Sequence, residues 1–262
     1  MGKTLKLWVF FSVIIVITVV AFLFMNNFSD KNPLDNLQSS SGRWVQDENG
    51  WKAVGNIPKC PEPIQLGSVA DLNQATSVLY PGQMRSIGYE NTGGFRFDEV
   101  PNDQITVTAP IDGEIIMAAR FLVDGEVQYV FDILSPCGIM NRFDHLLTIS
   151  PKLQEIANSL PKPKNNDSRS VSVSPPVKIT QGEVLATAVG LSKNNNNFIS
   201  WTVFDFRKKN KVSQDPAWAE KHPVMDHYAI CPFPFLPQED QEKIKSLPAA
   251  DFMSGSKSDF RN

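Results

Sequence analysis

Hydrophobic and polar positions change rhythm several times along this chain. From Leu7 to Met25 the side chains read LWVFFSVIIVITVVAFLFM, an uncharged run softened only by Ser12 and Thr18. That length predicts a helix crossing about 30 Å of hydrocarbon, and so a lipid bilayer as a partner through residues 7–25. Residues 1–6 precede it as a short tip carrying Lys3 and Lys6, whereas Asp30, Lys31 and Asp35 follow it with little net charge. The positive residues therefore predict a single-pass protein with a cytoplasmic N-terminus and its main domain outside the cytoplasm. A cleaved signal peptide shares the charged start and apolar stretch. The run is longer than such peptides usually carry, however, and NNFSDKNPLDNLQ offers no small-x-small cleavage site directly after it.

Residues 26–42 are rich in Asn, Asp and Ser, without apolar periodicity, and predict a flexible tether. Residues 43–84 form an N-terminal β extension. It opens with GRWVQDENGWKAVGNIP, a hairpin in which Trp44 and Trp51 are expected to pack across from each other around an Asp-Glu-Asn-Gly turn. From Ile105 the strand signals become dense, in ITVTAP and GEIIMAARFLVDGEVQYVFDIL, with Asp112-Gly113 and Asp124-Gly125 as the expected hairpin turns. Ser150 and Pro151 predict a short helix over 151–159. Two more strand-like stretches, VKITQGEVLATAVG and FISWTVFDFR, flank an asparagine run that reads as a loop tip. Residues 208–262 predict an irregular, proline-rich extension with one short helix at QEDQEKIKSL, whose acids come early and lysines late.

Composition sharpens this picture in three places. The 19 prolines and 15 glycines favour a loop-rich, mainly β fold, and 262 residues leave room for one main domain plus appendages. A net charge of −3 supplies no field to gather nucleic acid, so no nucleic-acid partner is expected. Cys60, Cys137 and Cys231 contain no Cys-x-x-Cys pair. In an exported domain two would pair and one remain free, in an unspecified combination; three buried apolar cysteines are the alternative. His222, Asp226 and His227 lie close together in HPVMDH, but Pro223 argues against a helix that would align them on a metal.

Five pieces stand in order within 85–207: TGGFR at 92–96, VTAPIDGEIIMAA at 107–119, RFDHL at 142–146, VKITQGEVLATAVG at 177–190 and WTVFDFR at 201–207. Together they resemble the lysostaphin-like, or LytM-type, zinc endopeptidases. The resemblance implies an antiparallel β barrel or sandwich related to lipoyl carrier domains. It also implies that the family's zinc-ligand positions hold Thr92, Arg96 and Val203. These are a poor ligand, a cation and a hydrocarbon, so neither a metal nor another cofactor is expected there. Trp201 aligns with a further family histidine, and only His145 remains of the catalytic set. A lone histidine generates no hydrolytic nucleophile. The implied function is a catalytically inactive, peptidase-like domain that binds a cell-envelope polymer or an envelope protein, with Arg96, His145, Trp201 and Asp205 bordering its cleft. The alternatives are a cell-wall metallopeptidase with a relocated zinc site and a structural adaptor domain.

Overall fold

The computed structural model describes residues 42–48, 50–85, 88–250, 257, 258 and 260. The expected tip, membrane helix and nearly all of the tether lie outside the described residues. Among those described, no helix is long and apolar enough to cross a membrane.

The fold is mainly β, its strands antiparallel, and they do not close into a barrel. The expected hairpin forms as β1 (Arg43–Asp47) and β2 (Gly50–Val54). Three short strands follow, β3 (Ser77–Leu79), β4 (Gln83–Arg85) and β5 (Gly88–Glu90), then β6 (Gly93–Arg96) and β7 (Val107–Thr108). The long central strands are β8 (Gly113–Val123), β9 (Glu126–Leu134) and β10 (Ile139–Ile149). Helix α1 (Pro151–Ser159) leads to β11 (Val171–Ile179), β12 (Val184–Val189) and β13 (Phe198–Asp205). A one-turn α2 (Pro216–Ala219), a two-residue β14 (Ala229–Ile230) and α3 (Gln238–Ser246) complete the chain.

The main sheet runs β11-β8-β9-β10-β13-β6-β3. Asp124-Gly125 turns β8 into β9 as expected, with both residues at positive φ and Val123 paired to Glu126. Asp112-Gly113 does not make a hairpin. Asp112 Oδ1 instead accepts the Gln181 backbone N–H at 2.7 Å, tying the entrance of β8 to the loop before β12, because β7 pairs with β12 and not with β8. Strand β10 outlasts any single neighbour, so it pairs with β13 through Asp144 and with β12 from Leu146 onward.

The inner face of the sheet carries the larger core. Phe95, Phe131, Phe143, Ile199, Trp201 and Val203 pack there against Leu153 and Ile156 of α1 and against Leu66, Val69 and Leu72 from the irregular stretch before β3. The outer face carries a second cluster, built where Trp44 and Trp51 of the hairpin close over Phe206. The two tryptophans are not directly opposed, because Trp44 pairs with Ala53 and Trp51 with Gln46; they meet through the Phe206 ring instead. From residue 42 onward the described chain is one compact unit. The segments on either side of 85–207 are built into it, with β14 on β13 and Phe233 against Phe95. Cys60 and Cys137 form a disulfide across that unit, and Cys231 is free, its thiol pushed up to about 11 by burial.

Candidate functional site

Strand register decides which side chains share a surface. In β6–β13, Arg96 opposes Phe198, Gly94 opposes Ser200 and Gly93 opposes Trp201. Alternation then places Thr92, Arg96, Ser200 and Thr202 on the outer face, and Phe95, Ile199, Trp201 and Val203 on the inner one. The four positions Thr92, Arg96, Trp201 and Val203 therefore do not converge. Trp201 and Val203 are completely buried, and the Trp201 indole N–H donates to the Asn141 side-chain carbonyl oxygen at 3.0 Å. Arg96 shares a face with Thr92 but stands four extended residues, about 13 Å, along the strand. Its guanidinium is occupied by Asp98 and by Asn196 Oδ1 at 2.7 Å.

Of the residues expected to border a cleft, Asp205 is also withdrawn. It is fully buried and held by Arg207, whose Nε and Nη2 donate to its two oxygens at 2.8 and 2.9 Å. Trp201 thus serves the core and Asp205 an ion pair whose Arg207 partner also reaches the exposed Glu62, which is a correction to the sequence expectation. His145 does reach the outer face. It sits at φ +57° in an irregularity between Phe143 and Leu146, with its ring beside Phe121 and Phe198. Strict alternation would send Asp144 to the opposite face. The bulge keeps both residues on one side, with Asp144 opposite Ser200 and its carboxylate accepting the His145 backbone N–H at 2.6 Å.

What the outer face assembles is a polar row that sequence reasoning missed. Met117 opposes Asp132, Asp132 opposes Arg142, and Arg142 opposes Thr202, so one line of side chains crosses β8, β9, β10 and β13 and ends on Thr92. Asp132 is buried, and Arg142 Nη1 lies 3.6 Å from its Oδ2. Among the described residues, Asp132 Oδ1 has no hydrogen-bond partner. Burial pushes the Asp132 carboxyl up to about 6, against the pull of Arg142 and with the push of Asp144. The Arg142 side chain remains about a third exposed, and its Nη2 donates to Ser170 Oγ at 3.1 Å.

The row continues beyond the sheet. The Thr92 and Thr202 hydroxyls lie 2.9 Å apart, and Thr92 Oγ1 donates to Asn91 Oδ1 at 3.3 Å. Since Thr92 spends its proton on Asn91, Thr202 is the donor between the two hydroxyls. Asn91 Nδ2 donates to Asp226 Oδ1 at 2.6 Å, and His222 Nδ1 stands 3.6 Å from Asp226 Oδ2. Burial raises the carboxyls of both Asp226 and its neighbour Glu90. The His222 ring stacks on Trp218 at 4.1 Å, while His227 turns its Nε2 toward the Ala219 carbonyl at 3.3 Å. Pro223 opens the 3-10 turn Val224–Tyr228 rather than breaking a helix. Among the described residues no three His, Cys, Asp or Glu side chains come together as a metal-binding group.

The row lies between apolar patches. On one side stands the cluster under the β1–β2 hairpin, and on the other Ala119, Phe121 and Val130. Such an arrangement offers the partly exposed Arg142 guanidinium to a polar ligand, backed by the buried Asp132 carboxylate and Thr202 hydroxyl, with hydrophobic shoulders beside it. In comparisons with known proteins, the chain matches no family model, no curated protein and no solved structure.

Proposed function

We propose that this chain is a membrane-anchored, extracytoplasmic protein whose β domain descends from a LytM-type peptidase and binds a cell-envelope polymer or envelope protein without cutting it. The observation that carries this reading is the Asp132–Arg142–Thr202–Thr92 row. It is a line of hydrogen-bonding groups across the sheet in which Asp132 and Thr202 are buried and Arg142, held by Asp132 and about a third exposed, is the group that reaches solvent.

The strand register refines the resemblance in a way that supports the reading. A shift of one residue sets Ser200-Trp201-Thr202, in place of Trp201-Thr202-Val203, against the family's His-Leu-His. Thr202 then faces Thr92 across β6–β13, 2.9 Å away, as two ligand positions would. Both positions carry hydroxyls, and neither hydroxyl replaces an imidazole as a zinc ligand. A guanidinium beside such hydroxyls is suited to carboxylates, which peptide-bearing polymers carry in number. The Cys60–Cys137 disulfide supports an oxidising compartment, and the apolar run at 7–25 supports retention at a bilayer.

The test is co-sedimentation of the full chain with purified peptide-bearing envelope polymer. Retention is expected, falling about tenfold in Arg142→Ala, as removal of a charged hydrogen-bonding anchor requires. Equal retention of wild type and Arg142→Ala, or none by either, would count against the assignment.

A further inference from the structure

We infer that a cationic pocket where β8 meets β11 and the loop after α1 is a binding site for a phosphate-bearing anion. The cavity measures about 290 Å³ and is lined by Arg120, Lys162, Lys164, Asp167, Arg169 and Ser170 among others. That volume is at the small end of ligand cavities and matches a compact group rather than a long side chain.

The pocket is held in shape by bonds that do not use up its charge. Arg120 donates from Nε to the Pro161 carbonyl and from Nη2 to the Leu160 carbonyl, both at 2.7 Å. The backbone N–H of Leu122 donates to the Lys164 carbonyl at 2.9 Å, and that of Asn166 to the Leu122 carbonyl at 2.8 Å. The loop is therefore pinned to β8 at several points, and neutral carbonyls leave the Arg120 charge uncompensated.

Four cations face a single carboxylate here. That carboxylate, Asp167, is engaged by Arg169, whose Nε and Nη2 donate to its two oxygens at 2.7 and 2.6 Å. Lys162 makes no ion pair or hydrogen bond among the described residues, and Lys164 forms no salt bridge, although its charge acts on Asp167. Like charges gathered around one concavity raise the local potential for an anion. Ser170 adds a directed donor: its oxygen already accepts from Arg142 Nη2, so its own proton is free for a ligand oxygen. A monocarboxylate would neutralise only one of the unmatched cations. A phosphate group brings up to two charges and several strong acceptor oxygens, which fits the excess better. The pocket meets the polar row through the Arg142–Ser170 hydrogen bond, but its cations do not depend on the envelope-polymer reading.

The experiment titrates the full chain with inorganic pyrophosphate by calorimetry and compares it with the Lys162→Glu/Lys164→Glu double variant. Saturable binding is expected, weakening as salt rises, and about tenfold or more weaker in the double variant. Both lysines are exposed, so the thermal midpoint of that variant should match wild type, separating loss of binding from loss of fold. Two further arms identify the source of the phosphate. A preference for phosphatidylglycerol over phosphatidylcholine vesicles that the double variant loses assigns a lipid headgroup. Displacement of pyrophosphate by soluble poly(glycerol phosphate) without that preference assigns a phosphodiester polymer. Undiminished pyrophosphate affinity in the double variant, or no saturation at millimolar concentration, would overturn the site.

Discussion

Asp132 is the residue whose chemistry is most unusual for its place. Its carboxyl is raised from 3.8 to about 6, first by burial, with Arg142 opposing and Asp144 adding to the shift. Between about pH 4 and pH 6 the folded chain holds a proton that the unfolded chain has released. Stability therefore falls as pH rises through that window, by about 3 kcal/mol, and is level above it as far as this group is concerned. A thermal melting series should show this decline in wild type and its loss in Asp132→Asn. Gly94 makes a sharper steric demand. It stands at φ +148°, and a Cβ there would lie 1.8 Å from the Ile199 carbonyl oxygen across the β6–β13 ladder. Gly94→Ala is expected to cost about 3 kcal/mol or more and to separate Thr92 from Thr202, measurable by denaturant unfolding.

Among the elements, the stretch between the hairpin and β3 depends most on a covalent tie. The disulfide closes a separation of 77 residues, which the chain-entropy account equates to about 4 kcal/mol. Cys60→Ala/Cys137→Ala should lower the melting temperature accordingly. Thiol titration of the unreduced, denatured chain should find only Cys231. Several elements were legible from sequence because their signals are local: the β1–β2 hairpin, the Asp124-Gly125 turn, α1 at 151–159 and α3 over QEDQEKIKSL. Asp112-Gly113 carried the same dipeptide signal but serves a contact with Gln181, since β7 finds its partner far along the chain in β12. The cysteine pairing was equally unreadable, because nothing in the spacing separates one pair from another. In β13 the alternation fails as a guide after Ser200: both faces are covered, so Trp201, Thr202, Val203, Phe204 and Asp205 are all buried. A one-residue ambiguity in that strand exchanges its faces: Trp201 and Val203 point inward, Ser200 and Thr202 outward.

For the whole molecule, the candidate site depends on how five strands are ordered, and that order cannot be read from any one of them. Asp132 and Arg142 sit in segments that look like ordinary strand, FDIL and NRF, and meet only because β9 and β10 pair in one register. Thr92 joins them only because β6 lies on the other side of β13. The mainly β character was legible; the row was not, and the irregularity that turns His145 outward leaves no signal in the sequence. The two edges of the same sheet are protected in different ways. The β3 edge is covered by Pro248–Ala250, whereas the β11 edge carries Pro175 and Pro176, which blunt pairing with another chain. The direct test of a domain that holds its ligand without hydrolysing it is to incubate the full chain with purified peptide-bearing envelope polymer, zinc supplied. Bound protein and newly released amino groups are followed together. The account predicts Arg142-dependent retention with no release above a protein-free control; release of amino groups by the wild-type chain would contradict it.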